Sequence, residues 1–205
     1  MYQEIKVLNS ENLTIKKLSL DDLLSIYTTY GPQFFPPDEL KPAATIKRLF
    51  EAGLYCGFGI YLPDETLCGF ALFVSSSSLK GALLDYYAML PAYRNGGFGG
   101  RVLSLLSGAF SDAGGIYIES ENPAFAGNED ELSIQTRRIG FYERNGAVRT
   151  GLRSCLFGVH YEVLYLECRQ PSASVSVQAH YENVDVIYRT MFSEKHYEAE
   201  VCLEI

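Results

Sequence analysis

The sequence predicts an α+β domain in which a single sheet carries helices on both faces, an α/β/α layer order. Segments with strand and helix periodicity follow one another in the order β-α-α-β-β-β-α-β-α-β-β, which favours this class. Residues 82–110 also join a buried strand through a glycine-rich loop to an amphipathic helix. The chain has 205 residues, of which 47% are hydrophobic, and this is enough for one domain with a substantial core.

The first part of the chain is predicted to contain a strand, two helices and a β-hairpin. Ser19, which is followed by acidic residues, is a typical N-cap. Gly31 and Pro32 are expected to end the first helix. A Pro-Asp turn between two β-rich runs predicts the hairpin. The expected ranges are a strand at 13–18, helices at 19–31 and 42–53, and strands at 54–62 and 67–75.

The second part is predicted to alternate strands and helices and to close with another hairpin. A wide apolar stripe on the helix after the glycines indicates burial against a sheet. Asn145 and Gly146 form a typical C-cap of the next helix, because both residue types tolerate the left-handed conformation. The expected ranges are a strand at 82–90, a helix that begins at 98, a strand at 116–119, a helix at 132–144, and strands at 148–156 and 161–168.

The C-terminal segment is predicted to be an addition to this domain. The domain is expected to span residues 1–169, and residues 170–205 are expected to hold a linker and one helix. Residues 170–177 are rich in serine and contain a proline, which is typical of a linker. From Val184 onward, apolar residues recur at the spacing of an amphipathic helix, which is expected to pack on the domain or on a second subunit.

The glycine-rich loop at 94–100 is predicted to bind an anion. Glycines let several backbone N–H groups converge on one anion, and a helix N-terminus adds about half a positive charge. A P-loop would need Lys and then Ser or Thr after its last glycine, whereas Gly100 is followed by Arg101. A dinucleotide-binding fingerprint would need a glycine at Val102. That alternative is weak, although Glu119 lies where a ribose-binding acid is expected.

Residues 88–99 fit a third pattern, a strand ending in a small-apolar-x-Pro run that is followed by Arg-x-x-Gly-x-Gly. On these residues the chain resembles the GNAT superfamily of acyl-CoA-dependent N-acyltransferases. Residues 137–147 are similar to a second segment of that superfamily, aromatic-Tyr-x-x-x-Gly-Phe, with Ala147 in place of the last aromatic residue. The resemblance covers roughly residues 12–168. It implies the GNAT fold with a mixed, mostly antiparallel sheet, acetyl-CoA as the acyl donor and an amine as the acceptor.

The resemblance also implies where the cofactor binds. The backbone of Tyr87, Ala88 and Met89 is expected to pair with the pantetheine arm as an added strand would. The pyrophosphate is expected on the loop and the helix N-terminus. Arg138, one helical turn before Tyr142, is expected to reach a phosphate of CoA. The loop residues assigned to this site are Arg94, Asn95, Gly96, Gly97, Phe98, Gly99 and Gly100.

Tyr142 is the expected general acid, although its spacing also fits a core tyrosine. In the superfamily the matching tyrosine protonates the leaving thiolate of CoA, and a phenol with a pKa near 10 holds its proton at neutral pH. A general base is expected near the central strands. Asp85, which by strand periodicity shares a face with Tyr87, is the first candidate, and Glu119 is the second. Some members of the superfamily work without a dedicated base.

Composition limits which cellular locations and which classes of binding partner are expected. A net charge of −8 argues against nucleic acid and anionic membranes as partners. The five cysteines and three histidines lack metal-ligand spacing, so free thiols and no metal site are expected. The N-terminal stretch has no apolar segment typical of a signal peptide, and no apolar run reaches 18 residues. These features predict a cytoplasmic protein.

Two alternatives to an N-acyltransferase stay open at this point. A CoA-binding sensor would keep the anion-binding loop and have no turnover, and a Rossmann oxidoreductase would bind NAD. Tyr30, Phe34 and Phe35 are expected either to line an acceptor pocket or to anchor their loop. The acceptor, the acyl chain length and the oligomeric state are not determined by the sequence, and a homodimer is one option.

Overall fold

The computed structural model describes residues 12–37, 39–168 and 175–205, which form eight strands and six α-helices. Residues 1–11 and most of the predicted linker lie outside these ranges. The strands are β1 (Thr14–Lys17), β2 (Tyr55–Tyr61), β3 (Leu67–Val74), β4 (Ala82–Met89), β5 (Gly115–Glu121), β6 (Val148–Leu156), β7 (Val159–Glu167) and β8 (Val201–Glu204). The helices are α1 (Leu20–Phe34), α2 (Ala43–Glu51), α3 (Phe98–Ala109), α4 (Glu129–Arg144), α5 (Val177–Met191) and α6 (Glu194–Glu200).

All eight strands form one sheet in the order β1-β2-β3-β4-β5-β7-β6-β8. Neighbouring strands are antiparallel, except that β4 and β5 are parallel. The expected mixed, mostly antiparallel sheet is therefore confirmed, as are both predicted hairpins. A dinucleotide-binding fold needs a mostly parallel sheet, so this topology excludes the Rossmann alternative.

The sheet separates two apolar cores. On one face, α1, α2 and α5 supply fully buried residues such as Leu23, Ile46 and Val184. On the other face, α3 and α4 supply residues such as Val102 and Ile139. Burying one such aliphatic side chain stabilises the fold by roughly 1.5–3 kcal/mol. The prediction of helices on both faces is confirmed, and the apolar stripe on α3 does pack against the sheet.

Two helix boundaries differ from the predicted ones. The helix α1 does not end at Gly31 and Pro32 but continues to Phe34, where Phe35 N–H donates to the Gly31 carbonyl at 3.0 Å. A proline in the last turn removes a single helical hydrogen bond, and Phe34 packs on the core. The helix α4 begins three residues before the predicted start, because Asn128 caps it by accepting from Glu131 N–H at 2.9 Å, and Glu131 accepts from Gly127 N–H at 2.8 Å.

The C-terminal segment contains more than the predicted helix. The amphipathic helix is confirmed as α5, and its apolar face, which includes Ile187 and Met191, lies in the core. The chain then continues through α6 into β8, which pairs with β6 at the edge of the sheet. These last two elements are too short for periodicity to predict. The division of the chain at residue 169 stays a prediction.

Candidate active site

The two parallel strands at the centre of the sheet separate after three residue pairs. Residues 82–84 of β4 pair with residues 116–118 of β5, and residues 85–89 have no pairing with β5. Beyond that point β5 continues along β7 instead. The edge of β4 that faces β5 therefore presents backbone groups that do not pair with β5 and that can pair with an extended ligand. A cleft of about 1210 Å³ opens there.

A β-bulge in β4 decides which way the side chains beside this cleft point. The register against β3 shifts between Leu72 and Phe73, which pair with Tyr86 and Leu84, so Asp85 is an extra residue. Asp85 contacts side chains on the α1–α2 face, whereas Tyr87 packs on the α3–α4 face. The expectation that these two residues share a face is therefore wrong, because the bulge changes the phase of the strand.

The glycine-rich loop leads into the N-terminus of α3 in an irregular conformation. Asn95 has a φ angle of 63° and Gly97 has a φ angle of 77°, both in the left-handed region. Gly97 is the N-cap residue and offers no side chain to the first N–H groups of α3. Phe98, by contrast, points its ring into the core beneath the loop. The backbone at the start of α3 thus keeps the donors that an anion requires.

Close contacts with β4 and α4 hold this loop in place. The Tyr87 hydroxyl donates a hydrogen bond of 2.8 Å to the Gly99 carbonyl. A Cβ atom on Gly100 would lie 2.4 Å from Asn145 Oδ1, so a side chain at this position would push the Asn145 amide aside. Asn145 in turn donates to the Phe141 carbonyl. A side chain at position 100 would therefore disturb this contact between α3 and the end of α4.

A second cavity of about 460 Å³ brings most of the predicted cofactor residues together beside Tyr142. Eight of the eleven assigned residues line it, and Ala88 lines the larger cleft instead. Gly96 and Phe98 line neither cavity. The eight residues are Tyr87, Met89, Arg94, Asn95, Gly97, Gly99, Gly100 and Arg138.

The two arginines of the predicted phosphate site already have partners. Arg94 Nε donates to the Met89 carbonyl at 2.9 Å, and its guanidinium group lies 4.9 Å from the centre of the Phe34 ring. Arg138 forms an ion pair with Glu121 at 2.6 Å. Any phosphate bound by Arg138 would share this group with a carboxylate. The side chain of Arg138 is nearly half exposed, so the ion pair is weak enough to rearrange.

Tyr142 lies where the two cavities meet and lines both of them. Its residue is buried, and within the described part of the chain its hydroxyl has no hydrogen-bond partner. Burial raises the pKa of Tyr142 to about 12, and the positive charge of Arg138 acts in the opposite direction. The phenol is therefore fully protonated at neutral pH and free to donate.

Asp85 takes part in a hydrogen-bond network on the α1–α2 side of the cleft. One carboxylate oxygen accepts from Lys41 Nζ at 2.6 Å, and the other accepts from the Tyr55 hydroxyl at 2.6 Å. The side chains of the pair are 5% exposed for Asp85 and 19% exposed for Lys41. Removing one member would leave a buried charge without its partner.

Glu119 has a different environment, although it lies close enough to Lys41 and Asp85 for their charges to act on it. Tyr188 from α5 and Ser154 from β6 both donate to Oε1 of Glu119, and the second of these bonds measures 3.2 Å. Burial raises the pKa of Glu119 to about 7, while the hydrogen bond from Tyr188 acts to lower it. The carboxyl group therefore titrates near neutral pH, which is typical of acid–base groups.

Three partners of the two carboxylates were not among the residues predicted from the sequence, and of these three only Lys41 lines the cleft. Lys41, Ser154 and Tyr188 come from three separate elements and contact the two carboxylates. The only available signal was the apolar stripe of α5, which indicates that Tyr188 is buried but not what it meets. Phe34 and Phe35, which were predicted as pocket residues or anchors, do line the cleft.

Neither a metal centre nor a membrane-spanning helix is found in residues 12–37, 39–168 and 175–205. No group of three or more His, Cys, Asp or Glu side chains in these ranges is arranged to hold a metal ion. No helix there combines the length and the apolar character needed to cross a bilayer.

Comparison with known proteins gives structural similarity alone. No family model matches the sequence, and no curated protein matches it. Among solved structures, the dodecameric spermidine N-acetyltransferase of Vibrio cholerae is 14% identical, with a TM-score of 0.55 over 77% of this chain and 94% of that one. The spermidine N-acetyltransferase of the same organism in complex with CoA and spermine is 12% identical, with a TM-score of 0.54 over 76% and 95%.

A third structure extends the likeness to an enzyme that acts on a protein. The ribosomal-protein-S18-alanine N-acetyltransferase of Escherichia coli is 18% identical, with a TM-score of 0.53 over 80% of this chain and 98% of that chain. At such identities the likeness establishes the fold and no more. The chain therefore has the GNAT fold, which these N-acetyltransferases also have.

Proposed function

We propose that this protein is an N-acyltransferase that moves an acetyl group from acetyl-CoA to a primary amine of a small molecule or peptide by direct attack in a ternary complex. One observation carries the proposal: β4 and β5 separate beside the glycine-rich N-terminus of α3, with Tyr142 between the two cavities. The structural neighbours are named as acetyltransferases of spermidine and of a ribosomal protein alanine, both of which are amines.

The residues present fit a CoA thioester in three ways. Backbone groups at 85–89 that do not pair with β5 suit the amide groups of an extended pantetheine arm, once Arg94 Nε releases the Met89 carbonyl. The uncapped start of α3 suits a pyrophosphate, and Gly100 keeps that space open against Asn145. When bound, acetyl-CoA supplies a thioester whose carbonyl carbon an amine can attack.

Tyr142 acts in this proposal as the general acid. Its buried phenol keeps a proton at all physiological pH values, because its pKa is raised to about 12. With acetyl-CoA bound, the Tyr142 hydroxyl would donate this proton to the thiolate that leaves as the carbon–sulfur bond breaks. The absence of a competing partner within the described residues leaves the hydroxyl free for that transfer.

Glu119 is the better candidate for the general base, which reverses the order expected from the sequence. An amine must lose a proton to attack, and a carboxylate whose pKa is about 7 is about half ionised at neutral pH. Both oxygens of Asp85 already accept hydrogen bonds from Lys41 and Tyr55. We therefore assign proton removal to Glu119 and the positioning of the α1–α2 loop to Asp85.

The proposal is tested by calorimetry with acetyl-CoA, followed by a thiol-release screen over polyamines, amino acids, peptides and aminoglycosides. We expect binding, and turnover with at least one of these amines. Binding with no turnover on any amine would favour the CoA-binding sensor. A folded sample that does not bind CoA would refute the proposal.

Replacement of a glycine at the start of α3 tests the cofactor site. We expect Gly100→Ala to weaken acetyl-CoA binding roughly tenfold, which corresponds to about 1.4 kcal/mol, because the new methyl group displaces Asn145. The matched control is Gly108→Ala in the same helix, where a Cβ meets nothing within 4 Å. It should keep the affinity and gain about 0.5–1 kcal/mol of stability. Equal affinities in the two variants, measured by calorimetry, would contradict the assignment.

Tyr188 of α5 is expected to lower the pKa of the proposed general base, Glu119. In Tyr188→Phe the carboxylate of Glu119 loses a hydrogen bond that lowers its pKa. The acidic limb of the kcat/KM profile should therefore move up by about one pH unit. The control is Tyr181→Phe, which removes a hydroxyl from the same helix at a residue outside the cleft. If the acidic limb of the kcat/KM profile stays at its original pH in Tyr188→Phe, Tyr188 does not influence the pKa of Glu119.

A further inference from the structure

Two cysteines face each other across the edge of the sheet. Cys155 of β6 and Cys202 of β8 are direct partners in the antiparallel register. Side chains at directly opposite positions lie on the same face of a sheet and are its closest cross-strand neighbours. Each of the other three cysteines, Cys56, Cys68 and Cys168, has no cysteine opposite it in the described strand pairing.

The backbone separation of this pair suits a disulfide. Phe157 N–H donates to the Glu200 carbonyl at 3.0 Å, so these two residues form a hydrogen-bonded pair. Such pairs recur every two residues along an antiparallel ladder, which makes Cys155 and Cys202 another one, with a Cα separation of about 5.5 Å. Disulfides usually span Cα distances of about 4.4–6.8 Å. The Cα separation therefore suits a disulfide, and the Cβ atoms, about 5.5 Å apart in such a pair, have to approach by about 1 Å.

The surroundings of the pair assign different roles to the two thiols. Cys202 is exposed, and Cys155 is half-buried. His160 is the partner of Cys155 on β7, and its Nε2 atom lies 4.0 Å from Cys155 Sγ, close enough to accept the thiol proton. Glu204 lies 3.6 Å from Cys202 Sγ and disfavours the thiolate of that residue. Geometry and access, rather than thiol acidity, make this pair suitable for oxidation.

We propose that Cys155 and Cys202 form a reversible disulfide with each other. The oxidant is a low-molecular-weight disulfide such as glutathione disulfide. The Cys202 thiolate attacks one glutathione sulfur and releases one glutathione. The Cys155 thiolate, whose proton goes to His160, then attacks the Cys202 sulfur and releases the second glutathione. Two protein thiols lose two hydrogen atoms, and glutathione disulfide gains them as two thiols.

A disulfide between Cys155 and Cys202 would restrict the motion of one wall of the large cleft. The strand β8 directly follows α6, and Phe192, Ser193 and His196 from the α5–α6 region line the cleft. In the reduced protein, the four residues of β8 pair with one strand, β6. This pairing holds the end of α6 in place. A covalent link between β6 and β8 fixes the end of α6 and so restricts the motion of that wall.

The test incubates the reduced protein with glutathione disulfide and measures the intact mass and the cross-linked peptides. We expect a loss of two hydrogen atoms, a peptide that joins Cys155 to Cys202, and full reversal by dithiothreitol. The melting temperature of the oxidised protein should rise by about 5–10 °C, because the closed loop restricts the unfolded chain. An unchanged mass, or a cross-link between other cysteines, would refute the proposal.

Matched serine variants separate the two thiols. In Cys155→Ser, which lacks the second thiol, we expect a glutathione adduct on Cys202 that persists. In Cys56→Ser, which removes a half-buried cysteine of β2, we expect the cross-link to form as in the original protein. A persistent adduct on Cys202 in the original protein would show that Cys155 does not reach it, and would overturn the proposal.

Discussion

Tyr142→Phe is expected to lower kcat for acetyl transfer about 10²–10⁴-fold, the range typical of general acid catalysis. The variant removes only the hydroxyl, which has no hydrogen-bond partner among the described residues, so the fold should be unaffected. Because the ring stays in place, calorimetry should give an unchanged affinity for acetyl-CoA. The effect should therefore appear in kcat and not in binding.

A change of leaving group separates acid catalysis from a structural role of Tyr142. An acetyl thioester of a more acidic thiol needs less protonation as it leaves, so the loss in Tyr142→Phe should be smaller with that donor. Tyr61→Phe is the control, since it loses a hydroxyl on β2 outside both cavities. The same loss with both donors would contradict the assignment of Tyr142 as the acid.

Glu119→Gln is expected to lower kcat/KM by about 10²–10⁴-fold at neutral pH. The original enzyme should lose activity as the pH falls through about 7, because protonated Glu119 cannot accept a proton from the amine. In the variant that limb should disappear, and the remaining activity should rise with pH as more of the amine becomes neutral in solution. A kcat/KM profile from pH 5 to pH 10 checks both expectations.

Stability distinguishes this loss of activity from unfolding. Burial raises the pKa of Glu119 from 4.5 to about 7, so the folded state holds the proton more tightly than the unfolded chain does. Stability therefore falls as the pH rises between these two values, and ionised Glu119 destabilises the protein above them. A neutral glutamine that still accepts from Tyr188 should make the protein at least as stable at pH 8, as urea unfolding can measure.

Asp85→Asn provides the decisive comparison between the two carboxylates. This variant leaves Lys41 with a weaker partner, so we expect a loss of stability while the acidic limb of the kcat/KM profile remains. If the limb instead disappears in Asp85→Asn and persists in Glu119→Gln, Asp85 is the base. The two profiles together thus assign the proton acceptor irrespective of the total loss of activity.

Most of the fold was predictable because its signals are local. Ser19 as an N-cap, the Pro-Asp turn of the first hairpin and Gly146 after α4 each act within a few residues, and all three occur as predicted. The cap that Asn128 forms with Glu131 N–H is equally local, and it places the start of α4 at residue 129 rather than at the predicted 132. The strand β8 has only four residues, and its pairing with distant β6 has no local signal.

The candidate site was predictable where it is continuous in sequence and not where it is assembled from distant elements. Residues 87–89 and the loop at 94–100 follow one another, and eight of the eleven predicted cofactor residues line one cavity. The orientation of Asp85 depends on a bulge against β3, which changes strand phase without any signal in β4 itself. The Lys41 pairing depends on how the α1–α2 loop lies over the sheet.

By itself, the sequence determined the order of elements from β1 to α5 and the glycine-rich turn into α3, and it predicted Tyr142 as the tyrosine of the site. These are properties of short stretches, set by propensity, capping and steric demands of single residues. Only the tertiary structure decided the pKa of Glu119 and the orientation of Asp85. The pKa of Glu119 depends on Ser154 and Tyr188, which are more than 30 residues away in the chain, and the orientation of Asp85 depends on its pairing with β3, so folding alone decides both.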